Sequence, residues 1–146
     1  MKESIKQFIA QKHIAVIGVS RSGKKFSNTI YRELKNDGYT VYPVNPNAGT
    51  VEGDKCYPSI AALPKAVTAT VVVVPPAETL AVVTEAAKKG IKHIWLQQGA
   101  ESDEAEAYCK TNELSFVSGR CLFMYVKEHA FPHSIHAVIA KLFRRF

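Results

Sequence analysis

Residues 18–29 read Gly-Val-Ser-Arg-Ser-Gly-Lys-Lys-Phe-Ser-Asn-Thr. Two glycines, three cations and four hydroxyls in one short stretch are the ingredients of an anion site. The apolar run 14–19 leads into it, and helical spacing (Ile30, Leu34) follows, so the stretch joins a strand to a helix. Arg21, Lys24 and Lys25 fall just before or at the start of that helix, where the backbone dipole is already positive. Each such cation costs roughly 0.3–1 kcal/mol, and an anion bound at the helix N-terminus reverses the penalty. Alternatively, these long side chains simply point into water. Ser20, Ser22, Ser27 and Thr29 can donate to phosphate oxygens, although Ser27 can instead be the helix N-cap.

The spacing also tests for a dinucleotide. In G-x-G-x-x-G the second glycine lets a pyrophosphate approach the backbone. Gly18 and Gly23 hold the first and third positions here, but Ser20 stands at the second. A nicotinamide site further needs an acid at the end of the second strand, to hold the ribose. That segment is Tyr-Pro-Val-Asn-Pro (42–46), with no acid between Tyr39 and Gly49 and no arginine for an NADP phosphate. NAD is disfavoured. The third loop, Val-Val-Pro-Pro (73–76), is a stiff apolar wall that suits a base or ribose, because proline lacks an N–H and fixes φ. Pro76 equally fits the first turn of a helix.

Other chemistry-bearing residues carry less. Cys121 ends the last strand, where a thiol could meet a ligand thiol or be a small buried hydrophobe. His133 and His136 are spaced i, i+3 with His129 nearby, but two histidines without a third placed ligand make no metal site. No metal and no catalytic residue is expected.

The elements that must position these residues alternate. Strands are expected over 14–19, 39–44, 69–74, 93–97 and 114–117. Helices are expected over 30–37, from Pro76 to Lys89, from an N-cap at Ser102 to about Thr111, and from Pro132 onward. Residues 59–63 can make one short helical turn before Pro64, and Gly38 and Gly90 close helices. Trp95 reads as core. The run Ala-Thr-Val-Val-Val-Val does not alternate, so both its faces are covered. This is an α/β pattern: a Rossmann-like three-layer sandwich with a mostly parallel, five-stranded sheet, in one domain over 1–146. Ligands in such sheets sit beyond the carboxyl ends of the strands.

Composition agrees: 47% hydrophobic and 22% charged residues support a core, and no apolar run approaches membrane-spanning length. No signal-peptide pattern opens the chain, so a cytoplasmic location is expected and a membrane partner is not. The net charge of +6 favours anionic partners. Arg144 and Arg145 are thin support for nucleic acid, which is not the expected partner. Three cysteines without a CxxC argue against disulfides and cysteine zinc sites.

A family resemblance covers roughly residues 12–123. IAVIGVS (14–20), LKNDGYTVYPVNP (34–46), CYPSIAALP (56–64), VVVVPP (71–76), VTEAAKKGIKHIWLQQGAES (83–102) and VSGRCLF (117–123) together resemble the small stand-alone coenzyme A-binding proteins. These are similar to the nucleotide-binding N-terminal domain of the succinyl-CoA synthetase α subunit. The resemblance implies that Gly18, Val19, Ser20 and Lys25 of the glycine loop take the phosphates of CoA, and the loop's own charge and hydroxyls add Arg21, Ser22 and Lys24 to the expected site. It implies that Val44, Asn45 and Pro46 lie near the nucleotide, and that Val74, Pro75 and Pro76 flank the adenosine. It also runs the pantetheine past Gln97 to Ala100, including Gly99. A lysine that follows the second loop's proline in the synthetase is replaced here by Asn47-Ala48, so Lys24 or Lys25 would supply that charge. The expected ligand is CoA or an acyl-CoA, bound without catalysis. Three rivals stay open: an acyl-CoA-handling enzyme, a nicotinamide-dependent enzyme, and a subunit presenting CoA to a partner. A homodimer is open too.

Overall fold

The structure is a computed structural model and describes residues 2–126. Helix α1 (Lys2–Ile9) precedes β1 (His13–Ile17), α2 (Phe26–Asn36) and β2 (Thr40–Val44). A hairpin, β3 (Thr50–Val51) and β4 (Asp54–Lys55), and a 3-10 turn (Ile60–Ala62) lie on the way to β5 (Ala69–Val72). Then come α3 (Pro76–Lys89), β6 (His93–Gln97), α4 (Asp103–Thr111), β7 (Ser115–Arg120) and α5 (Phe123–Val126). The expected C-terminal helix from Pro132, the His129, His133 and His136 group, and the Arg144–Arg145 tail lie outside the described residues.

Five strands pair in the order β2-β1-β5-β6-β7, and every neighbouring pair is parallel. The Rossmann-like expectation holds. Alternate residues feed opposite faces: Ile14, Val16, Val71 and Trp95 join one core cluster, while Ala15, Ile17, Val72, Ile94 and Leu96 join the other. Continuous apolar strands therefore mean two covered faces. Residues of α1, α2 and α5 fill the first cluster, and residues of α3 and α4 fill the second. Trp95 is fully buried, meets Phe8 of α1 edge-on at 5.3 Å, and donates to the Arg120 carbonyl at 3.0 Å.

Strand order decides where the loops meet. From β1 the chain moves to β2 on one side, then crosses back over β1 to β5 on the other. The reversal lies between β1 and β5, and the crevice there is at their carboxyl ends. The crossing segment carries the β3–β4 hairpin. Its two turn residues, Glu52 and Gly53, both have positive φ, 53° and 80°. That backbone matches the right-handed twist of the strands, but it is costly for a non-glycine such as glutamate.

Some boundaries moved. Helix α2 starts at Phe26, earlier than its apolar spacing suggests. Strand β5 stops at Val72, which leaves Val73 and Val74 in the third loop. Strand β7 runs on to Arg120 because a register shift at Leu96/Gln97 lets the pairing resume past Gly119. The predicted cap is present: Ser102 Oγ accepts from the Ala105 amide at 3.2 Å.

Candidate functional site

The first loop is shaped by its neighbours. A Cβ on Gly18 would sit 2.0 Å from the Val73 carbonyl oxygen, and Gly18 has φ +106°. Only glycine fits, because the loops after β1 and β5 touch there. Beyond it, residues 20–23 form a tight turn, closed by the Gly23 amide donating to the Ser20 carbonyl at 3.3 Å. The Ser20 hydroxyl accepts from the Ser22 amide at 3.1 Å, and the Ser22 hydroxyl from the Lys24 amide at 3.2 Å. The two hydroxyls share one bond of 2.9 Å. That bond uses one of their two protons and leaves the other to donate outward.

Asn28 anchors this turn. It is fully buried; its Oδ1 accepts from the Ser20 amide at 2.9 Å and its Nδ2 donates to the Ser20 carbonyl at 2.9 Å. Ser27, expected as a phosphate donor or an N-cap, is neither capping nor free. It is buried, and its hydroxyl donates to the Gly18 carbonyl at 2.9 Å. The N-cap position of α2 is Lys25, and no side chain caps that helix end. Arg21, Lys24 and Lys25 are exposed there and have no acidic partner among the described residues. An uncapped helix N-terminus beside three unpaired cations is an electropositive mouth.

The other predicted loops converge on the same edge. Asn45 Nδ2 donates to the Val19 carbonyl at 2.8 Å, and its Oδ1 accepts from the Asn47 amide at 2.7 Å. The second loop is thus braced to the first. Val19 and Val44 point into the core, while Pro46, Pro75 and Pro76 are exposed. Pro76 takes the first-turn position of α3, as its type allows. Thr79 donates to the Ala100 carbonyl at 2.7 Å and ties the third loop to the fourth. Gln97 is buried at 1% exposure. Its Oε1 accepts from the Leu122 amide at 3.1 Å, and its Nε2 lies 3.3 Å from Cys121 Sγ. Gln97 is therefore closed off within the fold, while Gln98 and Gly99 beside it are exposed.

Three residues that the sequence reading passed over belong to this edge: Asn28, Glu52 and Arg32. The Glu-Gly pair in the hairpin turn was the one signal that could have found Glu52, and nothing pairs it with α2 before the chain folds. Glu52 is the first acid after β2, yet it is engaged by Arg32 at 2.8 Å and Asn28 at 3.1 Å. The first carboxylate after β2 is thus committed to α2 through Oε2, which disfavours the ribose contact that a nicotinamide dinucleotide makes. Burial pushes the Cys56 thiol up, and the Cys109 thiol up to about 11, so both are protonated at neutral pH. All three cysteines are unpaired. No cluster of three His, Cys, Asp or Glu able to hold a metal occurs among the described residues, and no helix there is long and apolar enough to cross a membrane.

Fold and site together define a Rossmann-like domain with an anion-seeking edge. The family model for the CoA binding domain matches residues 12–127. This chain belongs to that CoA-binding family. It is 40% identical over 97 residues to an ADP-forming acetate–CoA ligase II of Archaeoglobus fulgidus, covering 65% of this chain but 14% of the ligase. It is 35% identical over 88 residues to the alpha subunit of such a ligase from Pyrococcus furiosus, covering 60% of this chain and 19% of the subunit. Among solved structures, a conserved hypothetical protein from Pyrococcus furiosus superposes with TM-score 0.73 at 41% identity, covering 76% of this chain and 96% of that one. The chain therefore spans a small part of the curated ligases, but nearly all of that small protein.

Proposed function

We propose that this chain binds coenzyme A or an acyl-CoA along the carboxyl edge of its sheet, in the cytoplasm, with no catalytic step of its own. The observation that carries the reading is the uncapped N-terminus of α2, flanked by unpaired Arg21, Lys24 and Lys25, in a chain of the CoA-binding family. The phosphates meet the turn of Gly18, Val19, Ser20, Arg21, Ser22, Lys24 and Lys25. The nucleotide lies beside Val44, Asn45 and Pro46, and the adenosine against Val74, Pro75 and Pro76. The pantetheine passes the Gln97–Gly99 segment toward Cys121. Three unpaired cysteines fit a reducing compartment.

The matched ligases join acetate to CoA by their names, and this chain spans 14–19% of them. In the rival reading, the thiol end of the ligand is presented to a partner protein. Isothermal titration with CoA, acetyl-CoA and NAD tests the reading at about 100 micromolar protein, where affinities from ~1 mM to ~1 μM become visible. Heat with either CoA species and none with NAD is expected; silence with both CoA species overturns it. Native mass spectrometry of the freshly purified protein would name a ligand carried through purification.

A further inference from the structure

We propose that Glu52 is a positioning residue of the phosphate turn, holding the Ser20 backbone through Asn28 and deciding which cations face a bound anion. The ligand in this inference rests on the CoA reading above; the geometry does not. Glu52 sits in the hairpin turn at φ 53°, a conformation that asparagine or glycine would adopt with less strain. A strained residue of unsuited type points to a task for its side chain. That side chain is only 18% exposed and reaches back to α2. One oxygen, Oε2, accepts from Asn28 Nδ2 at 3.1 Å and from Arg32 Nη1 at 2.8 Å. Arg32 in turn donates to the Gly23 carbonyl at 3.2 Å. The turn is thus gripped at both ends, Ser20 by Asn28 and Gly23 by Arg32, with Glu52 holding both grips.

The same hairpin selects charge. Glu52 neutralises Arg32, and Asp54 neutralises Lys35 at 2.5 Å. Both cations lie on α2 beyond its first turn. Their cancellation leaves the unpaired charge on Arg21, Lys24 and Lys25, in the turn itself. An anion is therefore drawn to the helix N-terminus, not to the flank of α2.

Two neutral variants separate reach from charge. E52Q keeps an oxygen at the position of Oε2 and loses only the charge. E52N is one methylene too short to reach Asn28, and it creates an Asn-Gly turn well suited to the hairpin. In ligand-free protein, hydrogen exchange at the Ser20 amide should match wild type in E52Q and be about tenfold faster in E52N. With the Arg32 charge no longer neutralised, E52Q should bind CoA about threefold tighter than wild type at low salt, with a steeper salt dependence. E52N should bind about tenfold more weakly than E52Q, although its melting temperature is no lower. Equal Ser20 exchange in the two variants overturns the positioning role. An E52Q affinity and salt dependence equal to wild type overturn the charge role. If wild type binds no CoA species, the functional reading falls, while the exchange measurement still decides whether Glu52 holds the turn.

Discussion

The two edges of the sheet treat polar groups in opposite ways. At the carboxyl edge, buried Asn28, Gln97 and Thr79 each have hydrogen-bond partners, and with Asn45 they tie the loops to one another. At the amino edge, Asp37 caps the C-terminus of α2 with both carboxylate oxygens shut from solvent and no partner among the described residues. Burial first, then the charge of Glu33, pushes its pKa up to about 7. His93 opens β6 with an unpartnered buried Nδ1, and burial lowers its pKa. Satisfied polar groups give geometry; unsatisfied ones give pH dependence. Binding should therefore answer to the carboxyl edge, and the pH dependence of stability to the amino edge.

The severest way to break that contrast is Gly18→Ala. Its methyl would enter the Val73 carbonyl, so a loss of about 3 kcal/mol or more in urea unfolding is expected, with CoA binding lost too. A near-normal stability would mean that the two loops do not touch. Gln97→Met keeps the volume and removes the acceptor of the Leu122 amide. It should cost about 2 kcal/mol, because a buried N–H is left unpaired. At the other edge, the folded-state pKa of Asp37 lies above its unfolded value of about 3.9. The folded protein then binds more protons between pH 4 and 7, so this contribution to stability is full below about pH 4 and is lost as pH rises to about 7. Asp37→Asn should remove that slope and raise the melting temperature at pH 8 by about 3 °C, with CoA affinity unchanged. The opposite-signed contribution of His93 cancels in the comparison with wild type.

The smallest expected change in stability is the sharpest in function. Replacing Lys24 and Lys25 with alanine relieves cations at a positive helix end, so stability should hold or rise by up to about 1 kcal/mol. CoA affinity should fall about tenfold and become less sensitive to salt. Unchanged affinity would leave those lysines facing water.

Much of the frame was legible in the sequence because it is local. Apolar runs marked the five strands, Ser102 announced its cap, and Gly38 and Gly90 closed their helices with φ 98° and 94°. Helix α1 was not identified, although Ile5 and Phe8 share its buried face. The β3–β4 hairpin has two-residue strands, too short to show any period. Ser27 misled because its type fits a cap, whereas its hydroxyl donates to the Gly18 carbonyl. The Asn28–Glu52 contact and the Gly18–Val73 approach join distant parts of the chain, and neither residue pair carries a local signal.

That long-range construction also sets an order of events. The glycine motif emerges early in synthesis, but the backbone it must press against belongs to β5 and its loop. Contacts between distant segments close only after the intervening chain has been ordered. A nascent chain that has not yet docked β5 owns the motif without owning the site. On the proposed reading, ligand capture is thus a property of the finished sheet, and binding can serve as its proof of assembly.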